Sequence, residues 1–265
     1  MRMMSIASGS SGNAILVGTE TTQLLVDAGI SAKRILEGLE RAQLSGEDLD
    51  GILVTHEHAD HIGGLGVMMR KFHLPVYATA LTIEAIKNDR RLGQVDKDSF
   101  IAINCDEPFS VKDLRIDPMH ISHDAADPVA YRFRYGGKKA AVVTDLGVYD
   151  DYTIQGLQGL SAVFLEANHD IRMLQTGPYP YPLKQRILGK RGHLSNEASG
   201  RLLSSILSDK MQYIYLSHLS HENNLPELAY EAVRLEVEMS DTQWHGDDFP
   251  IRIAKRGEPS ECIEF

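Results

Sequence analysis

Thr55-His56-Glu57-His58-Ala59-Asp60-His61 follows the apolar run Gly51-Ile52-Leu53-Val54. Three imidazoles and a carboxylate thus stand within residues 56–61, at the end of a predicted strand. A loop in that position brings its side chains to one point. Imidazole nitrogen and carboxylate oxygen suit borderline divalent metals such as zinc, manganese or iron. His56 and His58 are spaced to serve one ion, and Asp60 and His61 a second, with Glu57 pointing away between the pairs. Catalysis needs an open position on each ion, so the remaining ligands must come from other parts of the chain.

Three candidates end apolar runs further on. His123 follows the stretch around Ile116–Ile121, Asp145 follows Ala140–Thr144, and His218 follows Tyr213–Ser217. Residues at the ends of neighbouring strands meet at one sheet edge. A carboxylate offers two oxygens, so Asp145 is the natural bridge between ions. One ion would take His56, His58, His123 and Asp145; the other would take Asp60, His61, Asp145 and His218. His120 and His221 compete with His123 and His218. His120 falls inside its strand run, and His221 reads as a surface residue. His73 and His245 have no ligand context.

These residues resemble the metal-binding motifs of the metallo-β-lactamase superfamily: Asp27 in Leu24-Leu25-Val26-Asp27-Ala28-Gly29, then the His56–His61 run, His123, Asp145 and His218. The resemblance implies an α/β four-layer αβ/βα sandwich holding two divalent ions at one edge. Asp27 would then orient a ligand or support its loop. Other stretches are similar to the single-domain YycJ/WalJ-type branch, described as DNA exonucleases. These are Ala7–Ala14, His123–Ala126, Leu165–Asn168, Gly192–Glu197 and Leu216–Ser220. His169 is a departure from the residue expected in its loop. The resemblance implies a 5′ to 3′ DNA exonuclease in which a hydroxide shared by two ions attacks phosphorus. A small-molecule thioesterase or lactonase of the same fold, or an RNA-processing nuclease, is the alternative. In ribonuclease Z-like relatives a Glu and a His in the corresponding loops pair as proton donor, which carries that role to Glu166 and His193. Asp60 would orient the nucleophile as well as bind metal. A carboxylate partner favours an imidazolium, the form that protonates a leaving oxygen.

Bulk properties bound this reading. The 265 residues suffice for one large core, and no Pro/Gly/Ser linker divides them, so a single domain spanning 1–265 is expected. Two cysteines make no disulfide framework, and the absence of a long apolar run predicts a cytoplasmic protein without a membrane span. A net charge of −10 runs against a nucleic-acid partner, but local charge decides contact. The segment Ile171–His193 carries Arg172, Lys184, Arg186, Lys190 and Arg191 with no Asp or Glu, and it holds Tyr179 and Tyr181. Such a stretch suits a phosphate backbone and stacked bases. Lys184, Arg186, Lys190 and Arg191 are therefore candidate substrate contacts, with Ser8, Ser10 and Asn13 in the Gly-flanked N-terminal loop and Ser220 after His218.

Hydrophobic spacing predicts a strand meander over Met3–Val26, and a helix capped by Ser31 with Ile35, Leu36 and Leu39 on one face. A helix over about His61–Phe72 and another over Thr79–Asn88 flank a strand at Pro75–Tyr77. Strands fill Phe100–Thr144, with a hairpin at Gly136-Gly137. Helices near Tyr149–Gln158, Asn196–Leu207 and Pro226–Glu238 then alternate with strands at Ala162–Leu165 and Gln212–Leu216. Strands first and alternation later suit two sheets covered by helices. No internal repeat is visible, and the two halves share no motif.

Overall fold

Apolar residues fill the three short runs nearest the N-terminus, and each run is buried as a strand: β1 (Arg2–Ala7), β2 (Ala14–Gly18) and β3 (Gln23–Val26). They pair antiparallel, with Met4 opposite Leu16 and Leu16 opposite Leu25. The computed structural model describes residues 1–265, which divide into two units. The first comprises Met1–His120, Ala125–Gly137 and Lys255–Phe265, and the second Ile121–Asp124 and Lys138–Ala254. The strands form two mixed sheets accompanied by helices.

In the first unit the chain changes direction after β3. β4 (Gly51–Leu53), β5 (Val76–Thr79) and β6 (Phe100–Ile103) add in order, parallel to β3. Helices α1 (Ala32–Arg41), α2 (Ala59–Ile62), α3 (Leu65–Phe72) and α4 (Ala80–Asn88) make the crossovers. Ser31 caps α1 by accepting a hydrogen bond from Arg34 N, and Ile35 and Leu39 enter the core with Leu16, Leu25 and Ile52. β7 (Phe109–Val111), β8 (Leu114–His120) and β9 (Val129–Tyr135) form an antiparallel set. Fully buried Tyr131 donates its hydroxyl to Val54 O at 2.9 Å, and Val129 N donates to Thr55 O at 3.0 Å. The start of β9 is thereby stitched to the segment following β4. The helix expected over His61–Phe72 is instead two helices. Gly64 N leaves the helical ladder to donate to Ala28 O at 2.7 Å, so Asp60 and His61 sit on a separate single turn.

The second unit is built on parallel strands β10 (Lys138–Val143), β11 (Ala162–Glu166), β12 (Tyr213–Ser217) and β13 (Ile251–Ile253), paired in that order. Its helices are α5 (Asp151–Gly156), α6 (Ile171–Thr176), α7 (Tyr181–Leu188), α8 (Asn196–Ile206) and α9 (Pro226–Glu238). Phe164 stacks on Tyr215 with ring centroids 4.7 Å apart, and Leu202, Leu203 and Val233 are buried. α6 and α7 fall where the sequence reading has only a basic stretch. Asp170 caps α6, and Pro182 lies in the first turn of α7, where proline fits because its missing N–H has no helical acceptor. A final strand, β14 (Ile263–Glu264), pairs with β1 in the first unit. No helix is long and apolar enough to cross a membrane.

Each unit aligns the carboxyl ends of parallel strands. Val26 lies opposite Leu53 in the first, while Val143 lies opposite Leu165 and Glu166 opposite Ser217 in the second. Loops leaving those ends are where ligands bind in open α/β sheets.

Candidate metal centre

The first unit assembles the His56–His61 loop around one buried carboxylate. Asp27 follows β3 in the left-handed region (φ 60°), a conformation that Asp tolerates better than most residues. Its carboxylate accepts hydrogen bonds from Thr55 N (2.8 Å), Thr55 Oγ1 (2.9 Å) and His61 Nδ1 (2.7 Å). His56 Nδ1 lies 3.0 Å from Thr55 Oγ1. Both rings are thus held through Nδ1, so Nε2 is the atom each could offer a metal ion. His56 has its ring centroid 4.6 Å from that of His58 and 4.1 Å from that of His61, and Asp60 Oδ2 lies 3.6 Å from His61 Nε2. Glu57 turns aside to accept from Ala126 N at 2.8 Å.

The second unit gathers His123, Asp145, Glu166, His193 and His218. Asp145 and His218 also adopt left-handed backbone, at φ 60° and 56°. Asp145 Oδ1 lies 3.7 Å from His123 Nε2 and 3.6 Å from His218 Nε2. His123 Nδ1 is 3.1 Å from Gly192 O, and His218 Nδ1 is 2.8 Å from Glu166 Oε1, so Nε2 is again the atom each could offer a metal ion. Ligand atoms of Asp145, Glu166, His193 and His218 all lie within 4.8 Å of one another. Imidazole and carboxylate in this arrangement fit a borderline divalent ion. The rivals lie elsewhere: His120 is exposed, 3.9 Å from Asp127, and His221 is exposed beside Glu222 at 2.6 Å.

Glu166 does more than pair with His193. Its Oε1 accepts from His193 Nδ1 and His218 Nδ1, both at 2.8 Å. Its Oε2 accepts from Leu146 N at 2.8 Å and Leu194 N at 3.1 Å. Complete burial opposes the charge, but His193 and the hydrogen bonds from both imidazoles outweigh it and hold the carboxyl well below the usual carboxylate range. Glu166 is therefore an anion that fixes two rings and two loops, and it has no proton of its own to give.

The two halves do share a motif, contrary to the sequence reading. Asp27-Ala28-Gly29 and Asp145-Leu146-Gly147 both place a left-handed Asp at a strand end and a glycine against the next functional loop. A Cβ on Gly29 would lie 1.7 Å from Asp60 O, and one on Gly147 would lie 2.2 Å from Lys190 O. Asp-x-Gly after an apolar run is the signal that could have found both positions.

Most of the remaining expected contacts are engaged within the protein. Asn13 is buried and bonds Gly9 through Oδ1 and Nδ2, while its N donates to Asp60 O at 2.8 Å and its Nδ2 lies 3.1 Å from His61 Nε2. It is a tie between the N-terminal loop and the metal-binding turn. Ser8 is buried, Ser10 is exposed, and Ser220 Oγ accepts from Asn223 N at 3.2 Å. Lys184 Nζ donates to Gln175 O (2.7 Å) and Gly177 O (2.8 Å), and Arg191 Nε donates to His123 O (2.9 Å). Arg186 forms a two-point ion pair with Asp124. Lys190 is exposed, and its carbonyl accepts from Ser122 Oγ at 2.9 Å. Asn168, overlooked as a site residue, donates to His218 O at 2.9 Å and so braces the strained turn.

His169 is 1% exposed, and neither ring nitrogen has a hydrogen-bond partner. Burial pushes its pKa down to about 4, with Glu166 opposing the shift and His193 adding to it. A folded value below the unfolded 6.5 means that protons favour the unfolded chain. Stability from this group is complete above pH 6.5 and is lost as pH falls toward about 4. The loss amounts to about 3 kcal/mol, at about 1.36 kcal/mol per unit. Urea midpoints of the parent should fall through that window, and those of His169→Leu should fall less. A parent profile flat across it would contradict the assignment. Glu166, whose pKa is lowered from 4.5, contributes its own acid-sensitive stability below that pH.

Residues 22–214 match the family described as the Beta-lactamase superfamily domain. The chain therefore belongs to the metallo-β-lactamase superfamily, a hydrolase family. It is 40% identical over 233 residues to Exodeoxyribonuclease YycJ of Bacillus anthracis, covering 88% of each chain. It is also 40% identical over 236 residues to Exodeoxyribonuclease WalJ of Streptococcus pneumoniae, covering 89% of this chain and 88% of that one. Among solved structures, the metallo-beta-lactamase fold protein YhfI from Bacillus subtilis has the same fold, with a TM-score of 0.67, 19% identity and 98% of each chain covered.

Proposed function

We propose that this protein is a 5′ to 3′ DNA exonuclease: a two-metal phosphodiesterase whose two units act as one hydrolase domain over residues 1–265. The residues that would hold the ions are His56, His58, Asp60, His61, His123, Asp145 and His218. Asp145 would offer them two carboxylate oxygens. When bound, divalent ions of the zinc, manganese or iron type acidify a water and offset the charge of the phosphate. Asp60 aligns the attacking water. His193, held at Nδ1 by Glu166, presents Nε2–H to the leaving oxygen. The neutral alcohol so formed departs, and Glu166 keeps the ring in place throughout.

The observation that carries this reading is the His193–Glu166 hydrogen bond at 2.8 Å within the Asp145 cluster. Phosphodiester cleavage expels an alkoxide that needs a proton; a thiolate leaving group does not. The two 40% identical relatives named as exodeoxyribonucleases support the same choice. Cys105 and Cys262 are thiols rather than a disulfide, which supports a cytoplasmic location.

The test incubates the protein and manganese with 5′-labelled single- and double-stranded DNA, with RNA, and with a thioester. Stepwise loss of nucleotides from DNA is expected. Hydrolysis of the thioester alone would reverse the assignment, and cleavage of RNA alone would move the substrate class. His193→Ala should lower turnover by about 10²- to 10⁴-fold with metal content unchanged. Full activity in that variant would remove the proton-donor role.

A further inference from the structure

Asn168, Asn196 and Asn224 are buried together in the second unit, at 3%, 0% and 4% exposure. Asparagine is mostly a surface residue, and a buried amide must find partners for two N–H groups and an oxygen. Asn224 finds all of them. Its Oδ1 accepts from Asn196 Nδ2 at 2.9 Å and from Leu225 N at 3.0 Å. Its Nδ2 donates to Asn196 Oδ1 at 2.8 Å, and to Ala167 O and Asn168 O at 2.9 and 3.0 Å. The reverse orientation would turn the NH2 group against Leu225 N, itself a donor, so a single orientation satisfies the amide.

These partners lie on three loops that carry functional groups. Ala167 and Asn168 directly follow Glu166 at the end of β11, Asn196 opens α8 just after His193, and Asn224 lies in the loop after β12 and His218. Backbone hydrogen bonds hold the same loops in pairs: Asn168 N donates to Leu194 O at 3.0 Å, and Ser220 N to Asn168 O at 2.8 Å. The Asn224 side chain touches all three loops at once. His193 has the greatest need of such a tie. Asp145 and His218 stand next to the ends of strands, whereas His193 stands in the loop between α7 and α8, so its place depends on what that loop is fastened to.

We propose that Asn224 is a positioning residue for proton delivery: through Asn196 it fastens the loop of His193 to the loops of Glu166 and His218, and so sets where His193 stands. The proposal rests on the nuclease reading, with His193 as proton donor, and adds a residue that acts through it. His218 keeps its direct holds in the absence of Asn224, from Glu166 Oε1 at its ring and from Asn168 Nδ2 at its carbonyl. Metal binding is therefore spared.

Asn224→Ala, His193→Ala and the double variant are compared with the parent on two diesters. One is 5′-labelled DNA, whose leaving alkoxide needs a proton; the other is bis(4-nitrophenyl) phosphate, whose nitrophenolate departs as an anion. A catalytic group displaced by about 1 Å costs about 10²-fold, so Asn224→Ala should lower kcat on DNA by about 10- to 100-fold, with KM and metal content unchanged. The loss on the nitrophenyl ester should be smaller by about tenfold or more, as it should be for His193→Ala. The double variant should be no slower on DNA than His193→Ala, because residues acting as one unit are not additive. Equal losses on the two esters would make Asn224 a structural residue and overturn the proposal. Parent-like kcat on DNA, or losses that multiply in the double variant, would do the same. Should Asn224→Ala not fold, Asn196→Ala carries the same comparison, since it cuts the tie to α8 and leaves Asn224 its contacts with Ala167 O and Asn168 O. A parent that digests no DNA, or a His193→Ala enzyme slowed equally on both esters, would remove the nuclease or the donor reading and this proposal with it. The expected behaviour of His193→Ala, with Asn224→Ala failing to follow it, removes the positioning role alone.

Discussion

Glu166→Gln should turn over about 10³-fold more slowly than the parent and should also bind metal more weakly. The glutamine keeps an oxygen for the His193 and His218 rings but turns an NH2 toward Leu146 N and Leu194 N, which are themselves donors. Two backbone N–H groups lose their acceptor in a fully buried place, a cost of about 1–3 kcal/mol each. The loops carrying Leu146 and Leu194 then relax, and they directly follow Asp145 and His193. Losing an aligned proton donor costs about 10²- to 10⁴-fold, and losing the outer partner of a metal ligand costs about 10- to 100-fold in affinity. The comparison with His193→Ala is decisive, because that variant loses turnover and keeps metal. Metal titration and kcat measured on both variants separate the roles. Parent-like metal affinity in Glu166→Gln would show that the loops carrying Leu146 and Leu194 hold their places without the second carboxylate oxygen.

The second large effect belongs to a residue with no side chain. Gly29→Ala places a methyl 1.7 Å from Asp60 O, closer than any real contact, so the turn bearing Asp60 and His61 has to move. Gly29 N also donates to Asn13 O at 2.7 Å and Ala28 N to His61 O at 2.8 Å, so the displaced turn pulls on both. A misplacement of about 1 Å at a catalytic group costs about 10²-fold. Activity should fall at least that far, and metal should be lost from the purified protein. Gly257→Ala is the control, because a Cβ there meets nothing within 4 Å. Equal metal content in the two variants would show that the turn accommodates the methyl.

Much of the fold was legible because its signals are local. The apolar runs of β1–β3 and β10–β12 gave strands, and Ser31 and Pro226 marked where α1 and α9 begin. The misreadings were also local in origin. The segment Ile171–His193 read only as a basic stretch, yet it holds two helices, with Pro182 in the first turn of the second, where proline is tolerated. One helix was expected over about His61–Phe72, but Gly64 N donates to a carbonyl 36 residues earlier in the chain, Ala28 O. The four basic side chains offered as substrate contacts show the same limit. Composition revealed their charge, while Arg186 and Arg191 spend it on partners distant in sequence and Lys184 on carbonyls at the end of the preceding helix.

The chain's order of residues was enough to name the metal-binding types and their spacing, since His56 to His61 lie within two turns of backbone and Asp145 and His218 each close an apolar run. It could not show that Glu166 grips two imidazoles at once, that His169 is buried with neither ring nitrogen bonded, or that glycines press against Asp60 and Lys190. Ligand chemistry and strand periodicity belong to the individual side chain and its immediate neighbours. Shared hydrogen bonds and close approaches arise only when folding brings remote segments to the same sheet edge.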